Sequence, residues 1–339
     1  MADHLLQVEN LRVHFKTYGG EVQAVRGVTF HVDRGETLAV VGESGCGKSV
    51  TAQAIMGLIP NPPGRIVDGQ IRFDGKVITG MSKKELLSVR GAEIGMVFQD
   101  PMTALNPTMR VGAQIVEGFV RTQQVSKEEA RKKAMEMLRL VGIPDPEKRV
   151  DQYPHEFSGG MRQRVVIAIA LANNPKLVIA DEPTTALDVT IQAQILDLLK
   201  ELQEKQQLSI VMITHDLGVV AEIAHRAVVM YAGIVVETGK VEDIFANPKH
   251  PYTWGLMRSL PRIDGVEKER LVPIEGTPPD LFHPPKGCSF APRCQFAMEI
   301  CEQQMPDAST FTEGHQAACW LHDPRAPKLE ELVAAGRQT

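Results

Sequence analysis

The chain has 339 residues, of which 37 are Lys or Arg and 42 are Asp or Glu, giving a formal charge of −5, with 43% apolar and 23% charged side chains. That balance excludes a disordered or low-complexity chain, leaves room for about two domains of ~100–200 residues, and argues against nucleic acid as the main partner, a role that needs a basic face. The longest apolar run, residues 165–172, falls well short of the ~18 residues that cross a bilayer, and the opening MADHLLQVEN carries an acid and lacks the apolar core of a signal peptide. A cytosolic chain is expected, unless a partner docks it to a membrane.

Residues 5–15 and 23–32 alternate or are β-branched and read as strands. Residues 36–41 are continuously apolar from Leu38, as a strand buried on both faces should be. GESGCGKS, residues 42–49, follows, and residues 50–58 read as helix. This segment fits G-x-x-x-x-G-K-[ST] between a strand and a helix. Gly42, Gly45 and Gly47 let successive backbone N–H groups turn inward on an anion, with Glu43, Ser44 and Cys46 between them. The helix start adds its positive end. Lys48 reaches the β- and γ-phosphates of a nucleotide, and the Ser49 hydroxyl ligates Mg²⁺. Cys46 reads as a tolerated small residue whose thiol could expose the loop to oxidation.

Further along, residues 94–98 read as a short strand, 127–140 as an amphipathic helix and 161–172 as an apolar helix. Residues 177–180 read as a buried strand, 191–204 as an amphipathic helix and 210–214 as another apolar strand. Strands alternating with helices imply a mainly parallel α/β sheet. The strand LVIA delivers Asp181 to a Mg²⁺ shell and Glu182, one step on, to an attacking water. Paired acids at a strand exit also occur as a plain solvated end, so their weight comes from SGGMRQR upstream, and from Asp188 and THD (residues 214–216) downstream.

Composition changes near residue 255. Ten of the 22 prolines lie in residues 260–339, six of them between Pro273 and Pro292, which excludes long helices and central strands there and predicts a loop-rich extension with little core. Four of the five cysteines, Cys288, Cys294, Cys301 and Cys319, fall in the same tail, with five, six and seventeen residues between successive ones. In a reducing compartment such clustering reads as ligation of a metal or cluster before disulfides. Four thiolates suit either a [4Fe–4S] cluster or Zn²⁺, and the long intervals favour the cluster over a zinc knuckle.

Over roughly residues 5–255 the chain resembles the ABC-type ATPases. Walker A is GESGCGKS, the Q-loop glutamine is Gln99 in VFQDP, the signature is FSGGMRQR, Walker B is LVIADE, the D-loop is ALD (186–188), and the switch histidine is His215 in ITHD. The signature departs from LSGGQ at Phe157 and Met161 but keeps Ser158, Gly159 and Gly160, and FSGGM is the form common in the peptide-importer branch. The stretches QDPMTALNP, YPHEF and NPKHPYT, the last running on to Pro261, resemble the same branch.

That resemblance implies a P-loop NTPase: a RecA-like core with an antiparallel β-subdomain and a helical signature subdomain at about residues 100–165. It implies a domain of residues 1–255 and an extension, 256–339, with a four-cysteine cluster. ATP is sandwiched between one subunit's Walker A and the other's Ser158, Gly159 and Gly160. Gln99 senses Mg²⁺ and water, His215 holds the γ-phosphate, and Asp188 acts across the interface. Adenine stacks on Phe15, with Tyr18 as the second candidate. The implied partners are two membrane permease subunits, a related ATPase or a second copy, and an extracytoplasmic peptide-binding protein, at the cytoplasmic face of the cell membrane. Alternatives are an importer of nickel, glutathione or another small solute, a soluble ABC ATPase acting on nucleic acid or ribosomes, and a metal sensor.

Overall fold

The computed structural model describes residues 4–328 apart from 124, 186 and 260–272. Ala186 of the ALD turn and Pro261 lie outside the described residues, as does the extension beyond 328. In chain order the strands are β1 (Leu6–Thr17), β2 (Gly20–Val32), β3 (Thr37–Val41), β4 (Gly64–Phe73), β5 (Lys76–Val77), β6 (Ile94–Val97), β7 (Leu177–Asp181), β8 (Ser209–Thr214), β9 (Arg226–Tyr231), β10 (Ile234–Lys240), β11 (Ser309–Thr312) and β12 (His315–Ala317). The helices are α1 (Lys48–Ile55), α2 (Lys83–Val89), α3 (Pro101–Ala104), α4 (Val111–Gln123), α5 (Lys127–Leu140), α6 (Pro146–Arg149), α7 (Gly159–Leu171), α8 (Val189–Gln206), α9 (Leu217–Ile223), α10 (Val241–Ala246), α11 (Pro251–Arg258) and α12 (Glu299–Gln303). None of these helices is long and apolar enough to cross a membrane.

The chain divides into two compact units. One comprises Met1–Leu6, Val32–Thr37 and Arg72–Ile213, and the other Gln7–His31, Leu38–Ile71 and Thr214–Thr339. In the first, β6, β7 and β8 pair in parallel, with Ala180 opposite both Val97 and Met212. Every residue of these three strands is buried, which is why they read as unbroken apolar runs and not as alternating ones. The helices α3 to α7 fall between β6 and β7 in the chain. The helix α7 begins at Gly159, two residues before the first apolar position, because the Ser158 side chain caps it by accepting from the Met161 N–H.

In the second unit β1 and β2 form a hairpin, with β4 beside β1. There β3 runs parallel to β9, and β9 turns through Ala232 and Gly233, both at positive φ (48° and 81°), into antiparallel β10. The tail is not all loop. Its strand β12 pairs antiparallel with both β10 and β11 and so extends this sheet. Nor does the tail lack a core. Cys288, Phe290, Ala291 and Cys301 join the same buried cluster as Val41, Val229, Tyr231 and Tyr252. The Tyr231 and Tyr252 ring centroids lie 4.6 Å apart, and Phe290 meets them at 5.3 and 5.4 Å. Such aromatic pairs are worth ~0.5–1.5 kcal/mol each beyond the area they bury. Proline density predicted loops, and between its prolines the tail instead spends its aromatic side chains on the core of its neighbours.

Candidate functional site

The phosphate loop links buried β3 to α1 and belongs wholly to the second unit. Two of its glycines are required by packing as well as by φ. A Cβ on Gly42 (φ +152°) would lie 2.1 Å from the Met230 carbonyl, and one on Gly47 (φ +97°) 2.5 Å from that of Ala24. Gly45 (φ +79°) has open space where a Cβ would point, and it is exposed together with Ser44. The loop is thus clamped at both ends and open in the middle, the form of an anion cradle. Lys48 is 5% exposed, and its Nζ donates to the carbonyls of Gly42 at 2.7 Å and Glu43 at 3.0 Å. Ser49, the next residue of α1, is half-buried. Cys46 is 4% exposed and burial pushes its thiol up, as suits the tolerated small residue read from the sequence.

In the first unit, Asp181 ends β7 at 6% exposure. Glu182 follows in the left-handed region (φ 48°), its N–H donating to the Ile213 carbonyl at 2.9 Å. A non-glycine residue held there is strained, and such strain gathers where a side chain must be aimed. The structure brings Gln99 to it. Gln99 Nε2 donates to Glu182 Oε2 at 2.9 Å, and Thr185 Oγ1 donates to the same oxygen at 2.9 Å. Ser158 is exposed at the start of α7, where a Cβ on Gly159 would meet nothing and one on Gly160 would lie 2.6 Å from Ile191. Asp188 caps α8 by accepting from the Ile191 N–H at 2.9 Å. His215, back in the second unit, is exposed one residue past β8. Phe15 is half-buried on β1, and a Cβ on Gly64 would lie 2.7 Å from its ring; Tyr18 at the hairpin tip is fully exposed.

The four tail cysteines line one small cavity together with His250 and Trp320. The Cys288 N–H donates to the Cys301 carbonyl at 2.7 Å, which ties two of the cysteine loops together. Burial pushes the Cys294 thiol up to about 11 and Cys319 up to about 12. Their ligation of a cation would therefore release protons. NPKHPYT shapes this cavity through one buried carboxylate. Glu237, 1% exposed, accepts from the N–H groups of Lys249 (2.7 Å) and His250 (2.9 Å) and from Thr253 Oγ1 (2.6 Å), and it lies 2.8 Å from His315 Nε2. His250 Nδ1 accepts from the Tyr252 N–H at 3.1 Å, which places the ring proton on Nε2. That Nε2 is buried without a partner. Burial, with His322 adding to it, lowers His250 to about 3 and keeps it neutral.

Two residues that the motif reading passed over reach the phosphate loop. Tyr252 Oη accepts from the Glu43 N–H at 2.8 Å, and Arg293 grips the Glu43 carboxylate. Tyr252 stands inside a run already singled out, but nothing about Arg293 marks it except its place before Cys294.

A profile described as ABC transporter matches residues 25–185, and one described as oligopeptide/dipeptide transporter, C-terminal region, matches residues 236–301. Among solved structures, the dimeric ATP-binding cassette MJ0796 in a post-hydrolysis state with ADP and Pi aligns at a TM-score of 0.63 and 30% identity, over 70% of this chain and 98% of that one. CbiO1 from Clostridium perfringens aligns at 0.62 and 33% identity, over 72% and 92%. Fold and loop geometry thus define an ABC-type ATPase. The oligopeptide transport ATP-binding protein OppD of Bacillus subtilis is 63% identical over 96% of this chain and 91% of its own length, and the dipeptide transport ATP-binding protein DppD of the same organism is 57% identical over 98% of each. DppD of Escherichia coli is 50% identical over 96% and 99%. The chain belongs to the family of oligopeptide and dipeptide transport ATP-binding proteins.

Proposed function

We propose that the chain is the ATP-hydrolysing subunit of an importer of dipeptides or oligopeptides. It sits at the cytoplasmic face of the membrane on two permease subunits, pairs with a related ATPase or a second copy, and is supplied by an extracytoplasmic peptide-binding protein. The observation that carries this reading is the union, in one chain, of the glycine phosphate loop with a tail matched by the peptide-transporter region. In transport, Lys48 and the loop amides of Gly42 to Ser49 hold the β- and γ-phosphates of ATP, and Phe15 stacks on adenine. Ser49, Asp181 and Gln99 would hold Mg²⁺, which neutralises phosphate charge when bound. Glu182 polarises the attacking water, held in aim by its backbone bond to Ile213 and by Gln99. Ser158, Gly159 and Gly160 receive the γ-phosphate of the opposing subunit at a helix start, with Asp188 and His215 completing the interface. Phe98 and Met102, 43% and 59% exposed on either side of Gln99, suit a docking segment for the permease.

The tail, residues 256–339 in our division of the chain, is proposed to hold a [4Fe–4S] cluster on Cys288, Cys294, Cys301 and Cys319. The long intervals between the four cysteines support a cluster over a zinc knuckle. The orphan His250 Nε2–H at the same cavity is a donor that suits a sulfur-rich acceptor, whichever ion the thiolates hold. The cluster would supply a covalent staple between the cysteine loops.

The test is uptake of a labelled peptide into vesicles holding the chain with its co-encoded permeases and binding protein. ATP-dependent uptake is expected, and its loss in Glu182→Gln. Uptake of nickel or glutathione with none of peptide would replace the substrate, and co-purification with ribosomes in place of permeases would replace the class.

A further inference from the structure

We infer that the cysteine-bearing tail is a working part of the nucleotide site, and that Arg293 is a positioning residue holding the phosphate loop in its binding shape through Glu43. The inference rests on the phosphate loop being the ATP site.

The loop's two ends are fixed by backbone packing at Gly42 and Gly47, while Ser44 and Gly45 between them are exposed. Glu43 is where the open part of the loop begins, and it is held at both main chain and side chain. Its N–H donates to Tyr252 Oη at 2.8 Å. Its carboxylate takes a bidentate grip from Arg293, Nη1 to Oε2 at 2.6 Å and Nη2 to Oε1 at 3.0 Å. Arg293 in turn has no freedom to move. Nε donates to the Glu275 carbonyl at 2.9 Å, Nη2 to that of Ile274 at 3.1 Å, and Nη1 to Tyr231 Oη at 3.2 Å. Its side chain is 4% exposed.

A salt bridge between mobile surface groups would contribute little, but a buried fork with every donor used fixes geometry as well as energy. The fixed geometry matters because the Glu43 carbonyl is itself an acceptor of Lys48 Nζ, at 3.0 Å. Tail, loop carbonyl and phosphate-binding lysine are thus mechanically continuous. With the grip released, the loop must be ordered at the expense of ATP binding, so the loss falls on affinity.

The test is ATP affinity and steady-state turnover of the full chain in complex with its permeases, for Arg293→Gln, Glu43→Gln, the double variant and Arg293→Lys. Each single variant is expected to weaken ATP about tenfold (about 1.4 kcal/mol), raising KM more than it lowers kcat. The double variant should be no weaker than either single, and Lys should rescue in part because it keeps charge without the fork. A merely structural Arg293 would lower the melting temperature and leave the affinity of the folded protein unchanged. Should Arg293→Gln fail to fold, Glu43→Gln decides, since it leaves the tail's own bonds in place. Affinities within twofold of wild type in the single variants, or fully additive losses in the double, overturn the inference. Lys48→Ala is the control: if it too leaves ATP binding unchanged, the phosphate-loop reading fails and not the positioning role alone.

Discussion

Glu182 is held in a backbone conformation that its own side chain disfavours, and the reward is an aimed carboxylate. Glu182→Gln keeps the shape and the bonds to Gln99 and Thr185 but cannot take a proton. It should therefore bind ATP normally, lose several orders of magnitude in turnover and accumulate as a closed ATP-bound dimer, seen by size-exclusion with light scattering. Wild-type turnover would remove the residue from its assigned role. Gly47→Ala tests the cradle differently. A Cβ there meets the Ala24 carbonyl at 2.5 Å in a left-handed backbone, so ATP binding should fall below detection in titration calorimetry, while an alanine at Gly45, whose Cβ would meet nothing, should lose less. These residues were legible because their spacing is itself the chemistry. Arg293 was not, because its partner Glu43 stands 250 residues away and no periodicity joins them.

The α7 helix start carries a cap and, in the proposed function, a phosphate site, and a single substitution separates the two. Ser158→Ala removes a cap worth ~1 kcal/mol, a drop of a few degrees in melting temperature for a chain of this size. If Ser158 also receives the γ-phosphate, ATPase activity of the assembled transporter should fall by far more than that; a decrease matching the lost stability alone would leave it a cap only. The element level also shows which parts of the sequence speak plainly. The strands β3, β7 and β8 announce themselves because full burial on two faces forbids polar side chains, and α5 because its charged face is uninterrupted. The helix α4 went unread since VGAQIVEGFVRTQ mixes two glycines with β-branched residues, and tertiary packing of Val111, Ile115 and Phe119 overrides those weak propensities. The strand β4, with Gly64 and Gly69 inside GRIVDGQIRF, was silent for the same reason. In the tail the prolines were read correctly as loop formers, but a loop can still bury aromatic rings, and composition does not say where.

For the whole molecule, the cysteine cavity makes an iron prediction. Protein purified without oxygen should carry iron and sulfide with broad visible absorption, and Cys294→Ser should lose both. Stoichiometric zinc without iron would assign the site to the runner-up ion. His250→Phe should keep the iron but release it to a chelator several-fold faster, as the Nε2–H donor disappears; equal release rates would make that histidine a packing residue. The pairing of β12 with β10 has a further consequence for anyone trimming this protein to a minimal cassette. A chain cut after α11 would leave the outer edge of β10, the one away from β9, unpaired and bare the faces of Tyr231 and Tyr252 that Phe290 now shields. Such an open strand templates like strands of neighbouring molecules. The shortened cassette should stick to itself in light scattering at concentrations where the intact chain stays dispersed.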